Sequence, residues 1–369
     1  MNLLFDCHTF DVGPQGTTTF LAGLLTALPE VARARSLPLA ITCAAKDGRH
    51  ISRFTASPHR FEKMHGGFAA RNLFELPRLT HRAGLDAVIS QYVRPFRSSV
   101  PTVSIIHDVL FLDFPALFSW QYRTSRRILF GWAARHSDVV ITVSDYSRAR
   151  IAHHFGLDLR RIDVLPNAVD VAPSRPGLDG RVADAPLRLL YVSRFETRKR
   201  QHWCVTAANA LAATGRQVEL TLVGHAGGAY ADKVRAAITA GRTPGADIVI
   251  CSDVPQAELR TLFADSDLFL FPSACEGFGI PVIEAAAQGL PCVVSANTAM
   301  IELEGRYAGP AVAGDDCEAF VSAVAAAVER LPTLRREAVE RAPAVRAAYR
   351  WSDVAHGFID ILQRRGVAA

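Results

Sequence analysis

Hydrophobic residues form short continuous runs through the first half of the chain, and stretches with helical periodicity separate them. Most runs are apolar at every position, which is typical of parallel strands covered on both faces. We predict strands at LLFDC (3–7), LAITCAA (39–45), AVISQ (87–91), TVSIIHD (102–108), VVITVS (139–144) and IDVLPN (162–167). We predict helices at about 17–28, 68–83, 118–136 and 145–155.

This alternation stops at VAPSRPGLDGRVADAP (171–186), whose Pro, Gly and Asp residues predict a linker. It then restarts with predicted strands at LRLLYVS (187–193), VELTLVG (218–224), ADIVICS (246–252), DLFLFPS (267–273) and PCVVSA (291–296). We therefore predict an α/β fold with two Rossmann-like, doubly wound domains that face each other across a cleft. The predicted parts are an N-terminal domain, a C-terminal domain and a last helix that packs back on the first domain: 1–172, 187–348 and 349–369.

The composition favours a soluble globular protein over a nucleic-acid-binding, disulfide-rich or membrane-spanning one. The chain has 369 residues, 49% of them apolar and 21% charged, which suits two soluble globular domains. Its net charge of +5 is too small to indicate nucleic-acid binding. Its seven scattered cysteines, without a C-x-x-C pair, favour reduced thiols over a disulfide framework or zinc site. No apolar run reaches the ~18 residues of a membrane span, and Asp6 and His8 interrupt any secretory signal core. We expect a cytoplasmic protein.

The segment FPSACEGFGIPVIEAAAQGLPCVVS (271–295) carries the most informative motif. Gly277 and Gly279 precede a helix that Pro281 opens, and such a turn lets backbone amides approach an anion that the helix dipole favours. Glu276 and Glu284 flank this turn. Since carboxylates repel phosphate, we expect their partners to be hydroxyl groups of a sugar and a ribose. The alternative is a helix-capping loop with two solvated glutamates.

Three other segments follow predicted strands. LLYVSRFETRKRQ (189–201) places Arg194 and Lys199 where two cations would stabilise a diphosphate, although a basic run can also be merely solvated. SIIHDVLFLDFP (104–115) ends a buried strand at His107, a position where a histidine is often structural. DVGPQGTTTF (11–20) has Gly13 and Gly16 in a tight loop, and the absence of G-x-G-x-x-G there argues against a dinucleotide dehydrogenase.

The string from Glu276 to Pro291, E-G-F-G-I-P-V-I-E-A-A-A-Q-G-L-P, resembles the signature of retaining glycosyltransferases of family 4, which have the two-domain GT-B fold. The resemblance covers nearly the whole chain, is strongest from 187 to 296, and extends to bacterial mannosyltransferases of surface polysaccharide synthesis. It implies a catalytic set composed of His107, Arg194, Lys199 and Glu276. It also implies donor contacts by Gly13, Gly16, Arg194, Lys199, Val254, Glu276, Gly277, Phe278, Gly279, Ile280 and Glu284.

In these roles Arg194 and Lys199 grip the donor diphosphate, Glu276 holds sugar hydroxyls, Glu284 holds the ribose, and His107 lies near the transferred sugar. The implied activity moves a hexose, with mannose from GDP-mannose as the leading candidate, to a glycan or polyprenyl-diphosphate-linked acceptor. The setting would be bacterial O-antigen, exopolysaccharide or capsule synthesis, with no metal and no other cofactor. Two alternatives stay open: a nucleotide-sugar epimerase of the same fold, and a non-catalytic nucleotide-sugar-binding subunit.

The segment FSWQYRTSRRILFGWAARHS (118–137) interleaves aromatic residues with arginines. This pattern is typical of a helix at a membrane interface or beside a lipid pyrophosphate, and it indicates a peripheral contact with the inner face of the cell membrane. An ordinary amphipathic helix that buries its aromatic residues is the alternative.

Overall fold

The computed structural model describes residues 1–13, 15–55, 59–82, 84–170 and 185–367. The chain divides into two units, Met1–Ala168 with Tyr349–Ala369, and Val169–Ala348. Most of the predicted linker, at positions 171–184, lies outside the described residues.

A seven-stranded parallel sheet forms the centre of the first unit, in the order β3-β2-β1-β4-β5-β6-β7. Its strands are β1 Asn2–Asp6, β2 Ala40–Ala45, β3 Arg60–Lys63, β4 Ala87–Gln91, β5 Thr102–Ile105, β6 Val139–Thr142 and β7 Ile162–Val164. Six of them confirm the predicted strands. The seventh, β3, was not predicted because its sequence RFEK lacks an apolar run, and it lies partly exposed at the edge of the sheet.

The helices of the first unit are α1 Gly16–Ala34, α2 Gly48–Ser52, α3 Phe68–Ala70, α4 Leu76–Thr80, α5 Leu110–Asp113, α6 Trp120–His136 and α7 Asp145–Phe155. The predicted continuous helix at 68–83 is wrong in one respect, because a π-helical turn, Arg71–Glu75, separates α3 from α4. Pro77 has no amide to donate to the carbonyl of Leu73, so regular helical bonding cannot run through this point.

The second unit contains a six-stranded parallel sheet in the order β10-β9-β8-β11-β12-β13. Its strands are β8 Leu187–Val192, β9 Val218–Val223, β10 Ala246–Cys251, β11 Leu268–Phe271, β12 Cys292–Ser295 and β13 Ala311–Val312. Its helices are α8 Gln201–Ala212, α9 Ala229–Ala240, α10 Gln256–Asp265, α11 Ile280–Ala287, α12 Cys317–Glu329 and α13 Leu331–Ala348. The five predicted strands are confirmed, while β13 is too short to leave a recognisable pattern.

The strand order reverses once in each sheet. The chain leaves β1 towards β2 on one side and later continues from β4 on the other; in the second unit the reversal lies between β8 and β11. Ligands of such sheets bind at the carboxyl ends of the strands beside this reversal. Each unit is therefore a doubly wound α/β structure, as predicted, and each has its own expected binding edge.

The last helix, α14 Trp351–Arg364, belongs to the first unit and packs against α1. The ring of Trp351 lies so close to Gly23 that a Cβ there would come within 2.1 Å of it. Arg35, which directly follows α1, pairs with Asp360 at 2.6 Å, and Phe358 contacts Phe5 of β1. Within the described ranges, no helix has the length and hydropathy needed to cross a bilayer.

Candidate functional site

The loops that follow β8 and β11 meet beside the strand reversal of the second unit. After β8, the chain forms a short helical turn, Thr197–Lys199, and then Arg200 adopts a left-handed conformation with φ +52° before α8 begins. The hydroxyl of Tyr191 donates to the Lys199 carbonyl at 3.0 Å. Ala274, in the loop after β11, donates its amide to the Arg198 carbonyl at 2.7 Å. The first bond fixes the loop after β8 on its own strand, and the second holds this loop to the loop after β11.

Lys199 and Glu276 form a buried ion pair across these loops, with Lys199 Nζ donating to Glu276 Oε1. The ammonium also lies 5.6 Å from the ring centroid of Phe271, on β11. Both residues were predicted from the sequence, and the structure brings them into direct contact.

Arg198 completes the charged cluster, and sequence reasoning did not assign it. Its guanidinium lies 3.5 Å from Glu276 Oε2, donates to the Cys275 carbonyl at 3.0 Å, and pairs with Glu196 at 2.8 Å. The run Arg198-Lys199-Arg200 offered three cations, but only the fold shows which of them face Glu276. Arg200 turns elsewhere, over the ring of Trp203 and towards Asp315.

The cluster keeps Glu276 ionised. Burial alone would raise its pKa, but the adjacent Lys199 ammonium and the Arg198 guanidinium outweigh that effect and lower it below the usual value. Burial, together with the neighbouring Arg198, lowers the pKa of Lys199, and the Glu276 carboxylate opposes this shift. The site therefore holds two cations, Lys199 and Arg198, that are shared between the carboxylates of Glu276 and Glu196.

Arg194 lies at the margin of this cluster. Its side chain is 52% exposed, and its one ion pair within the described residues is with Glu196, at 3.7 Å. The structure does not bring it to Glu276, so its predicted grip on a diphosphate stays a prediction. Its exposure leaves the guanidinium accessible to a ligand.

The turn at residues 276–280 presents the N-terminus of α11. Thr298 anchors it, because its hydroxyl accepts from the Glu276 amide at 2.8 Å and donates to the Glu276 carbonyl at 2.9 Å. Gly279 has φ +98°, and a Cβ there would lie 2.4 Å from Met300 Sδ, so only glycine fits. Phe278 is buried and Ile280 begins the helix. The positive end of the α11 dipole therefore lies next to the Lys199–Glu276 pair.

Glu284 lies on α11, one turn beyond this N-terminus. Its carboxylate makes no ion pair within the described part of the chain, and burial raises its pKa to about 7. An unpaired, largely desolvated carboxyl group is suited to accept hydrogen bonds from ligand hydroxyls. Val254 lies in the loop between β10 and α10, at the same carboxyl edge of the sheet, and is partly buried.

In the first unit, the predicted glycine loop follows β1. Gly13 has φ +109° with open space around its Cα, and Gly16 begins α1. The Thr18 hydroxyl donates to the carbonyls of Gly13 at 2.8 Å and Thr9 at 3.3 Å, which closes the loop onto the helix. Pro14 lies outside the described residues.

His107 follows β5 and is buried. Its Nε2 lies 2.9 Å from Gln91 Oε1, and the edge of its ring meets Phe20 at a centroid distance of 5.2 Å. Burial lowers the pKa of His107 to about 3, so the imidazole is neutral at physiological pH.

Helix α6 has a divided surface. Phe130 is buried and Trp132 packs on Phe96 at 4.9 Å, as in an ordinary amphipathic helix. Trp120 and Ile128, however, are each 66% exposed, and Tyr122 is 41% exposed. The buried side chains fit an ordinary amphipathic helix, and the contact with a membrane stays a prediction.

Two parallel-sheet, Rossmann-like units are the architecture of GT-B glycosyltransferases. The family model described as Glycosyltransferase Family 4 matches residues 28–173, and the model described as Glycosyl transferases group 1 matches residues 186–330. The chain belongs to the GT-B glycosyltransferases of the family-4 type.

The individual relatives have low sequence identity to the chain and match only part of it. The chain is 31% identical to the glycogen synthase of Mycobacterium tuberculosis over 53% of its length and 46% of that protein. It is also 31% identical to the GDP-mannose-dependent alpha-(1-6)-phosphatidylinositol monomannoside mannosyltransferase of Mycolicibacterium smegmatis, over 56% of each chain. The chain thus spans about half the length of these curated relatives. The Anabaena protein HepE, solved with UDP-glucose, shares the fold with a TM-score of 0.76 at 18% identity, covering 99% of this chain and all of the other.

Proposed function

We propose that the chain transfers a hexose from a nucleotide-diphosphate sugar to an acceptor hydroxyl, with retention of anomeric configuration. The observation that carries this proposal is the buried Lys199–Glu276 pair beside the N-terminus of α11. A donor has a diphosphate, which needs cations and helix amides, and sugar hydroxyls, which need a carboxylate. The cluster supplies both within one small region.

Donor binding would reorganise this cluster. An incoming diphosphate competes with Glu276 for the Lys199 ammonium, and Arg194, which is exposed, closes on the same anion. The released oxygen of Glu276 then accepts hydrogen bonds from the sugar, while Glu284 accepts them from the ribose. Because the cations are already in place, they stabilise the charge that develops on the leaving diphosphate.

In the transfer step, the bond between the anomeric carbon and the diphosphate oxygen breaks, and a bond to the acceptor oxygen forms on the same face. The departing phosphate oxygen takes the acceptor proton, so no covalent enzyme intermediate is needed. Lys199 and Arg198 neutralise the leaving group, and we therefore propose transfer without a metal ion or other cofactor. Full activity in excess EDTA is the expected result.

For the substrates, we propose GDP-mannose as donor and a glycan or polyprenyl-diphosphate-linked glycan as acceptor, in bacterial surface polysaccharide synthesis. The GDP-mannose dependence named for the Mycolicibacterium relative supports this donor, while UDP-glucose in the Anabaena structure makes UDP-sugars the first competitor to test.

If the acceptor is lipid-linked, transfer takes place at the cytoplasmic face of a membrane. Helix α6 has a surface suited to contact with that membrane. The segment 118–137 has four arginines and no acidic residue, and it exposes Trp120 and Ile128. Aromatic side chains favour the headgroup region, and arginines favour anionic lipids. We propose that α6 contacts an anionic bilayer surface peripherally.

A thermal-shift screen with GDP-, UDP-, ADP- and dTDP-sugars, followed by transfer assays with lipid-linked glycans, tests the proposal. A true donor raises the melting temperature by mass action, and NMR of the product gives its anomeric configuration. Glu276→Ala should abolish transfer, whereas Glu340→Ala, at an exposed position of α13, is the matched control. Conversion of the donor without an acceptor would indicate an epimerase. A thermal shift without any transfer would indicate a binding subunit.

A further inference from the structure

We propose that Gln91 is a positioning residue for His107: it holds the imidazole in the tautomer with hydrogen on Nε2, so that Nδ1 accepts a hydrogen bond from a substrate hydroxyl. This inference rests on the proposed function. Gln91 was not singled out by any sequence motif, and it acts through His107, not on a substrate.

The arrangement is buried and crosses three neighbouring segments. Gln91 is the last residue of β4, which pairs in register with Ile105 of β5, two residues before His107. Thr9 lies in the short helical turn His8–Asp11 after β1, on the other side of β4. Gln91, His107 and Thr9 are all less than a tenth exposed. Water therefore competes little for the hydrogen bonds between them.

The direction of these bonds determines the tautomer. Gln91 Nε2 donates to Thr9 Oγ1 at 3.1 Å, so the carbonyl oxygen of the same amide faces His107. A carbonyl oxygen can only accept, and His107 Nε2 lies 2.9 Å from it. The hydrogen of the neutral ring must then be on Nε2, and Nδ1 keeps its lone pair.

The ring also contacts two aromatic side chains. Phe20 meets its edge at 5.2 Å and Tyr92 lies at 5.5 Å, centroid to centroid. Within the described residues, Nδ1 has no hydrogen-bond partner. The one acceptor of a clamped, neutral ring is thus left for a ligand, and a sugar hydroxyl is a donor of the right chemistry. Loss of Gln91 would free the ring to exchange tautomers and to turn Nδ1 away.

The test measures the tautomer directly, in the resting protein. Nitrogen-15 NMR of protein labelled at histidine, with the His107 signal assigned by its loss in His107→Asn, should show Nε2 protonated and Nδ1 unprotonated. Gln91→Met keeps the volume but removes the acceptor, and should give mixed tautomers and a fall in kcat/KM of about tenfold. Gln91→Glu restores an acceptor oxygen and should recover the tautomer and most of the transfer. Ser90→Ala is the matched control in β4, since the buried Ser90 hydroxyl has no partner in the described structure.

A wild-type signal with hydrogen on Nδ1 would overturn the inference, and so would a tautomer that Gln91→Met leaves unchanged. If Gln91→Met does not fold, the wild-type spectrum and Gln91→Glu still decide. These spectra need no substrate. Absence of transfer by the wild-type protein would therefore refute the proposed function and leave the assignment of Gln91 to the NMR result.

Discussion

Lys199 and Glu276 pair with each other although each side chain is only 9% exposed and 77 residues separate them along the chain. Removing two charges from water costs several kcal/mol per ion, and replacing such a pair with apolar residues is often neutral or stabilising. Stability alone therefore does not explain the pair. The exchange proposed above, of the Glu276 carboxylate for a donor diphosphate, would explain it.

Removing one partner should destabilise the second unit strongly. Lys199→Met leaves Glu276 buried with Arg198 as its one cationic partner among the described residues, at an expected cost of about 3 kcal/mol and a fall in melting temperature of about 5–10 °C. The double variant Lys199→Met with Glu276→Gln should recover most of this loss but no transfer. Calorimetric scanning provides the measurement.

Arg194→Ala is the control for this prediction. Its exposed pair with Glu196 contributes under about 1 kcal/mol, so the variant should weaken donor binding with little change in stability. Equal destabilisation by Arg194→Ala and Lys199→Met would contradict this account.

Glu284 should make stability depend on pH. Its pKa is raised by burial to about 7 in the folded protein, above the 4.5 of an unperturbed glutamate, so the folded state holds an extra proton between these values. The contribution to stability is complete below pH 4.5, is lost as the pH rises to about 7, and is constant above that. Glu284→Gln should remove this decline, which melting temperatures of both proteins between pH 5 and 8 will show.

The same carboxyl group should release a proton when a donor binds, because ribose hydroxyls stabilise its ionised form. Nucleotide-sugar affinity should increase as the pH rises towards about 7 and level off above, and this dependence should vanish in Glu284→Gln. Calorimetry in buffers with different ionisation enthalpies counts the protons. An identical pH dependence in the variant would remove Glu284 from the donor site.

Sequence patterns predicted the strands and the motif at β11–α11 because consecutive residues determine both. A buried parallel strand is a continuous apolar run, and a helix that begins after glycines has a recognisable sequence motif. Side-chain direction is not local. The choice of Lys199 and Arg198 as the partners of Glu276, with Arg200 turned to Trp203, depends on contacts across the sheet. The role of Gln91 could not be predicted from local sequence either, since its hydrogen-bond partners Thr9 and His107 are 82 and 16 residues away along the chain. The short, charged strand β3 was missed because edge strands need no apolar run.

Gly279 should be irreplaceable for a reason that can be separated from backbone strain. Gly279→Ala places a methyl group at φ +98° and within 2.4 Å of Met300 Sδ, so we expect a loss of about 2–3 kcal/mol. The displaced start of α11 should also weaken nucleotide-sugar binding.

Gly215→Ala is the matched control, because the φ of Gly215 is +90° but nothing lies within 4 Å of the added carbon. It should cost only the strain, about 1 kcal/mol, and leave binding intact. Thermal melts and donor titrations distinguish the two; equal losses of binding would contradict the prediction.

Membrane contact through α6 should require negative lipid charge. Each arginine near an anionic surface contributes about 1 kcal/mol, so Arg127→Glu should weaken partition into phosphatidylglycerol vesicles by about thirtyfold. Trp120→Ala should weaken it as well, and because this side chain is 66% exposed the variant should melt like the wild type. Vesicle sedimentation in low salt is the measurement, since added salt screens the attraction.

The matched control is Arg242→Glu, which makes the same charge change at an exposed position after α9 and should bind vesicles as the wild type does. Equal binding to phosphatidylcholine vesicles, or equal losses in Arg127→Glu and Arg242→Glu, would show that net charge and not α6 governs the contact.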